Sequence, residues 1–269
     1  VYYPFLDAVK NNHRTLICSD LKNENGIYTI DFEDFEKKII EHNVKLFILC
    51  SPHNPAGRVW KKEELKRLFE ICKKHHVFVV SDEIHQDLVF GENKHIPSLS
   101  IGDYDDMMVS IAAASKTFNI AGAQNSMVII PDKKLRKKWD AYTKGNRIQG
   151  GNTFGYVAAQ AAYAGGKEWL DQVLKQIDEN YRYLKAELAE KMPEAIVTPL
   201  EGTYLCWINL KAYVSADDIK EVIQKKCHLA VDYVDWFGGE RFGTFIRMNL
   251  ATSMENVKTG VEALINNLK

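Results

Sequence analysis

No apolar run in this 269-residue chain approaches the roughly 20 residues that cross a bilayer, and no secretory signal is visible at its start. Neither sign of charge is in excess: 35 Lys and Arg stand against 36 Asp and Glu, a net charge of −1. That balance gives nucleic acid or an anionic membrane no electrostatic footing as a main partner. The five cysteines (Cys18, Cys50, Cys72, Cys206 and Cys227) form no C-x-x-C pair, and an odd count suits a disulfide framework poorly. None of the eight histidines stands at ligand spacing from them, so a structural zinc site is not expected. Reduced, mostly core thiols in a cytoplasmic protein are the expectation. Repeats and low-complexity stretches are also missing.

What is present is a core-forming composition. Hydrophobic residues make up 46% and charged residues 26%, enough for one large domain or two ordinary ones. The opening "VYYPFLDAVK" reads like the interior of a domain, so a segment upstream of Val1 is expected.

Apolar runs alternate with amphipathic stretches. "RTLICS", "VKLFILCS", "VFVVSDE", "MMVSIAAA" and "NSMVIIP" read as strands, the second of them buried. "DFEDFEKKIIEH" carries Phe32, Phe35, Ile39 and Ile40 at helical spacing behind Asp31 as N-cap. "KKEELKRLFEICKKHH" places Leu65, Leu68, Phe69 and Cys72 on one helical face. This alternation predicts right-handed βαβ units and a mostly parallel sheet, an α/β fold. After about residue 165 the texture changes. One long helical pattern, "GGKEWLDQVLKQIDENYRYLKAELAEKM", precedes strand-like "TYLCWINL", helical "SADDIKEVIQKKC", strand-like "TFIRMNL" and helical "SMENVKTGVEALINNLK". The expected division is a large domain over 1–165, lacking its N-terminal part, and a smaller α+β domain over 166–269.

Ligands of parallel sheets sit at the carboxyl ends of strands, where Asn54, Asp82 and Lys116 fall. Lys116 follows an apolar run in "AASKTFNIAG". A desolvated lysine there is a nucleophilic amine for Schiff-base chemistry; taken alone, it reads equally as a strand-end cation that snorkels to water. Asp82 in "VVSDEIHQD" could hold a pyridinium N–H as part of an electron sink, or simply cap a turn. His85, three residues on, could donate to a ring oxygen or sit on a surface turn. Asn54, between Pro52 and Pro55 in "SPHNPAGRVW", is oriented to donate to a phenolate oxygen, or merely makes a turn. Arg247 interrupts the apolar "TFIRMNL", where an unpaired guanidinium is expensive. It calls for a substrate carboxylate, a phosphate or an internal acid.

Taken in order, Asn-Pro-x-Gly, Ser-Asp-Glu-Ile-His, Ser-Lys-Thr-Phe-Asn and Arg-Met-Asn resemble the fold-type I pyridoxal-phosphate (PLP) enzymes of aminotransferase class I/II. The match covers nearly the whole chain. Histidine after Asp-Glu-Ile, with "SKTFNIAG" and "GTYLCW", looks like the cystathionine β-lyase branch of C–S lyases, the MalY/PatB group. The resemblance implies that Lys116 bonds covalently to the cofactor and Asp82 partners the pyridinium nitrogen. Asn54 would bond the ring's phenolic oxygen, His85 would face the ring, and Ser115 would contact the phosphate. Arg247 would clamp the substrate carboxylate, where a bidentate fork suits a planar anion. Tyr2 would stack on the ring and assist proton transfer, with Tyr3 one position away as the other choice. Ala113 and Gln124 stand where many aminotransferases carry serine and arginine phosphate contacts, a mark of the lyase branch.

The expectation is therefore β-elimination from cystathionine-like thioethers to thiol, pyruvate and ammonia, in a homodimer. "GGNTFGYVAAQAAYAGG" is a helix suited to close packing, at a dimer interface or in the core. A PLP-dependent aminotransferase is the alternative. A non-catalytic binding or regulatory domain that keeps the fold is a third reading.

Overall fold

The computed structural model describes residues 1–148, 150–233, 237 and 243–268. Its first sheet has the order β3-β4-β5-β6, formed by β3 (Leu46–Cys50), β4 (Phe78–Asp82), β5 (Met108–Ala112) and β6 (Met127–Ile129). The first three strands run parallel and β6 antiparallel. Register aligns Cys50 with Asp82 and Asp82 with Ile111, so the three carboxyl ends finish level. Segments leaving those ends therefore share one rim.

Helices α2 (Phe32–His42) and α3 (Lys62–Lys74) supply the core of this sheet. Asp31 caps α2 by accepting from the Asp34 amide at 3.1 Å, and Asn43 ends it in the left-handed region at φ 49°. On α3, Leu65, Leu68, Phe69 and Cys72 are buried, as the spacing predicts. Glu64 reaches back to the Lys61 amide at 2.8 Å, closing the first turn.

Three sequence expectations change. "RTLICS" forms no strand: Arg14–Ser19 has no ladder partner among the described residues, and an apolar run becomes a strand only when a neighbour accepts its backbone. For the same reason β3 is an edge, and Leu46 is 48% exposed rather than buried. "SADDIKEVIQKKC" makes only a three-residue α-turn, Ile219–Glu221, that continues as a π-helical turn over Val222–Lys226.

An unforeseen hairpin, β1 (Lys22–Glu24) with β2 (Ile27–Thr29), turns on Asn25 and Gly26, both at positive φ. Asn-Gly is the preferred pair for such a turn. Its Tyr28 accepts from Trp207 Nε1 at 3.1 Å, tying the hairpin to the second sheet.

That second sheet is antiparallel throughout, in the order β7-β8-β10-β9. Its strands are β7 (Ile196–Val197), β8 (Leu205–Asn209), β9 (Asp232–Tyr233) and β10 (Phe245–Asn249). The 25-residue helix α7 (Lys167–Lys191) and the last helix, Met254–Leu268, cover one face of it. Ile177, Leu184, Val261 and Leu264 pack there with Ile208 and Ile246, all fully buried. Asn180, also fully buried, gives both amide hydrogens to the carbonyls of Leu250 and Thr252 and so fixes the exit of β10.

Candidate active site

Each polar candidate reaches the rim by a separate route. The loop after β3 holds Asn54. Gly57 closes that loop at φ 64°, donating to the His53 carbonyl at 2.8 Å. Its own carbonyl accepts from Glu201 and Gly202 at 3.0 and 2.8 Å, binding the loop to the segment before β8. Next to it, Arg58 bonds Glu201 at 2.8 Å, Glu64 at 3.2 Å and the Tyr28 carbonyl. The loop is thus fixed from three directions, and Asn54 is held at 4% exposure.

Asp82 ends β4 and accepts from the Ile84 amide at 3.1 Å. Burial raises its carboxyl above the ordinary value, reinforced by neighbouring Glu83 and opposed by the Ile84 amide and Lys116. Glu83 points the other way, into a buried cluster. It meets His95 Nε2 at 2.9 Å and the Ser98 amide at 3.1 Å, while Ser98 Oγ meets Ser81 Oγ at 2.8 Å. Burial pushes Glu83 up, but His95, Ser81 and the Ser98 amide together outweigh it and hold the carboxyl low.

His85 is 4% exposed, and its Nδ1 has no hydrogen-bond partner among the described residues. Burial first, then the positive charges of Lys116 and Arg247, push this imidazole down to about 3. It is neutral at working pH. Tyr204 packs edge-on to it at 5.6 Å.

Lys116 lies in α4 (Ala114–Thr117), the single turn that follows β5. Lys116 and Ser115 are both half-buried. Thr117 Oγ1, beside them, donates to Asp87 at 2.8 Å and anchors the turn. Arg247, on β10, is 9% exposed; Nη1 donates to Asn54 Oδ1 at 2.7 Å, and Nε and Nη2 both reach Asp232 Oδ2. Phe237 lies under the guanidinium at 4.6 Å. Tyr2 packs edge-on to Phe5 at 5.7 Å. Burial raises its phenol, and the charges of Arg247, Asp82 and Asp232 all act on it. Tyr3 instead turns to Phe237, 5.8 Å away.

Of the sequence candidates, Asn54 and Arg247 are thus in direct contact. Asp82, His85, Lys116 and Tyr2 are linked by mutual electrostatics; Ser115 sits in the turn beside Lys116, its carbonyl accepting from the Ile120 amide at 3.0 Å. Sequence reading missed Asp232, Glu83, His95, Arg58 and Glu201. An acid facing Arg247 was anticipated in kind, but its identity depends on a cross-strand register that spacing does not reveal.

The donor set suits a flat, phosphorylated pyridine aldehyde. It offers an amine at a strand end, a carboxylate at the next, an amide, an unpartnered buried imidazole nitrogen and an aromatic face. Comparison with known proteins agrees. Residues 1–264 match aminotransferase class I and II, and the chain belongs to that family. Cystathionine beta-lyase PatB of Bacillus subtilis is 39% identical over 266 residues, covering 98% of this chain and 68% of PatB. Cystalysin from Treponema denticola, solved with pyridoxal 5'-phosphate, superposes with a TM-score of 0.94 at 37% identity, covering 100% of this chain and 68% of that one. A PLP-bound putative aminotransferase from Clostridium difficile superposes with a TM-score of 0.95 at 40% identity, covering 100% and 70%.

Proposed function

We propose that this chain is a PLP-dependent carbon–sulfur β-lyase, converting cystathionine-like thioether amino acids to thiol, pyruvate and ammonia. The observation that carries the reading is the convergence of Asn54, Asp82, Lys116 and Arg247 on one rim. Similarity to a cystathionine beta-lyase over 98% of the chain supports it.

When bound, PLP supplies an electron sink for the bond-breaking at the substrate's Cα. Lys116 would attach it, and Asp82 would hold the ring nitrogen's proton. Arg247 already fixes the Asn54 oxygen, which leaves Nδ2 to donate to the ring's phenolic oxygen. Neutral His85 would offer its unpartnered nitrogen to the same group, Tyr2 an aromatic face and Ser115 a hydroxyl to the phosphate. Arg247 would hold the substrate carboxylate and so aim the Cα–H bond. Freed when the substrate's amino group takes its place on the cofactor, the Lys116 amine would take the Cα proton as general base. The thiolate leaving Cβ is protonated by Lys116 or Tyr2.

Continuous pyruvate and thiol release from L-cystathionine, with no keto acid added, tests the reading. Turnover that stalls after one equivalent and resumes with a keto acid would make the protein an aminotransferase, the reading that the Clostridium difficile relative favours.

The exposed apolar side chains of α6 (Thr153–Gly165), with Phe154 84% and Val157 60% exposed, support a homodimer. Five free thiols, four of them buried, support residence in a reducing compartment.

A further inference from the structure

The guanidinium of Arg247 is the group just assigned to the substrate carboxylate, and the chain already supplies it with one. Arg247 and Asp232 are paired across the β10–β9 ladder. Register therefore places the acid opposite the base whatever else is bound. Nε at 3.0 Å and Nη2 converge on the same oxygen, Oδ2, so Asp232 takes the side edge of the fork. Nη1 is taken by Asn54, and one face lies against Phe237. An incoming carboxylate cannot have the side edge while Asp232 holds it. At the remaining donors it meets an arginine whose charge is already neutralised.

The two partners differ in freedom. Arg247 is 9% exposed and held on three sides; the Asp232 side chain is 34% exposed and, among the described residues, bonded only to Arg247. Asp232 is the one that can swing into water, where a carboxylate is well solvated.

We infer that Asp232 sets the affinity of the carboxylate-binding position, as an internal carboxylate that competes with the substrate's carboxylate for Arg247. Every ligand binds against that competition. Ligands anchored by a carboxylate alone are rejected, and those that add contacts through an amino group and a side chain are kept. A second acidic group on the substrate meets the charge of Asp232 as well. The inference rests on Arg247 being the carboxylate holder.

Propionate, a carboxylate with no amino group, isolates the effect. Its dissociation constant is measured by calorimetry on the wild-type chain and on Asp232→Asn, Asp232→Ser and Arg247→Gln. The KM for L-cystathionine is measured alongside. Removing the charge at 232 is expected to tighten propionate about fivefold, the size of a partly exposed ion pair, and to lower KM in step. Arg247→Gln is expected to weaken both. Asn and Ser differ in size and hydrogen bonding but share neutrality, so agreement between them separates charge from packing. If propionate binds the two 232 variants no tighter than wild type while Arg247→Gln weakens it, the competition is overturned and the carboxylate holder stands. Should Arg247→Gln leave propionate binding and KM unchanged, both fall.

Discussion

Arg247 Nη1 donates to Asn54 Oδ1 across 2.7 Å, joining β10 of the second sheet to the loop after β3 of the first. Arginine has donors only, so the Asn54 oxygen must face it and the amide nitrogen must face away. The contact therefore orients a donor for one ligand group with the residue that would bind another. A double-mutant cycle of Asn54→Ala and Arg247→Lys is expected to show coupling of about 1.5–3 kcal/mol in kcat/KM, the range for hydrogen bonds to a charged group. Additive effects would mean that the two residues act independently.

Lys116→Ala is expected to lower pyruvate release from L-cystathionine by about 10⁴-fold or more, because attachment and general-base roles are lost together. The absorbance that PLP gains on binding the wild-type chain should also be missing. A variant that kept either would remove Lys116 from the centre of the site.

His85 makes a prediction about acid stability. Its pKa is about 3 when folded, against an ordinary value of 6.5, because burial and two nearby cations disfavour the charged ring. The unfolded chain therefore binds a proton at a higher pH than the folded one. Stability is fully present above pH 6.5 and is lost as pH falls toward 3, with a limiting slope of about 1.4 kcal/mol per pH unit for one site. In urea melts between pH 7 and 4, His85→Gln should show a shallower loss than wild type. Parallel curves would argue that His85 titrates normally.

Glu83 and His95 are a buried pair, with side chains 2% and 7% exposed and 2.9 Å apart. His95→Phe leaves the carboxylate desolvated and without that partner. The expected cost is about 3 kcal/mol in urea unfolding. His95→Gln, which can still donate, should recover much of it. Because Glu83 adjoins Asp82, PLP affinity should follow the same order. Equal stabilities for the two variants would show that the contact contributes packing alone.

Apolar periodicity and polar punctuation determined a good deal by themselves. β4, β5 and β6 were legible as apolar runs, α2, α3, α7 and the last helix as helical patterns, and Asp31 reads as a cap from local chemistry. Asn54, Asp82 and Lys116 were legible as strand-end polar groups, since a parallel sheet gathers such ends. "RTLICS" misled because a strand is a property of two segments, and the second was not in view. Hairpin β1–β2 was overlooked despite its Asn-Gly turn, because its strands are too short to show alternation.

Only tertiary structure decided what those residues face. It gave Asp232 to Arg247, His95 to Glu83 and Glu201 to Arg58, contacts that span 15, 12 and 143 residues. It also set the ionisation of His85, which depends on burial and on cations brought from two other elements. Local pattern records the face each side chain shows to a core or to water. Charge pairing and desolvation depend on which faces meet, and that is settled when the sheets and helices pack.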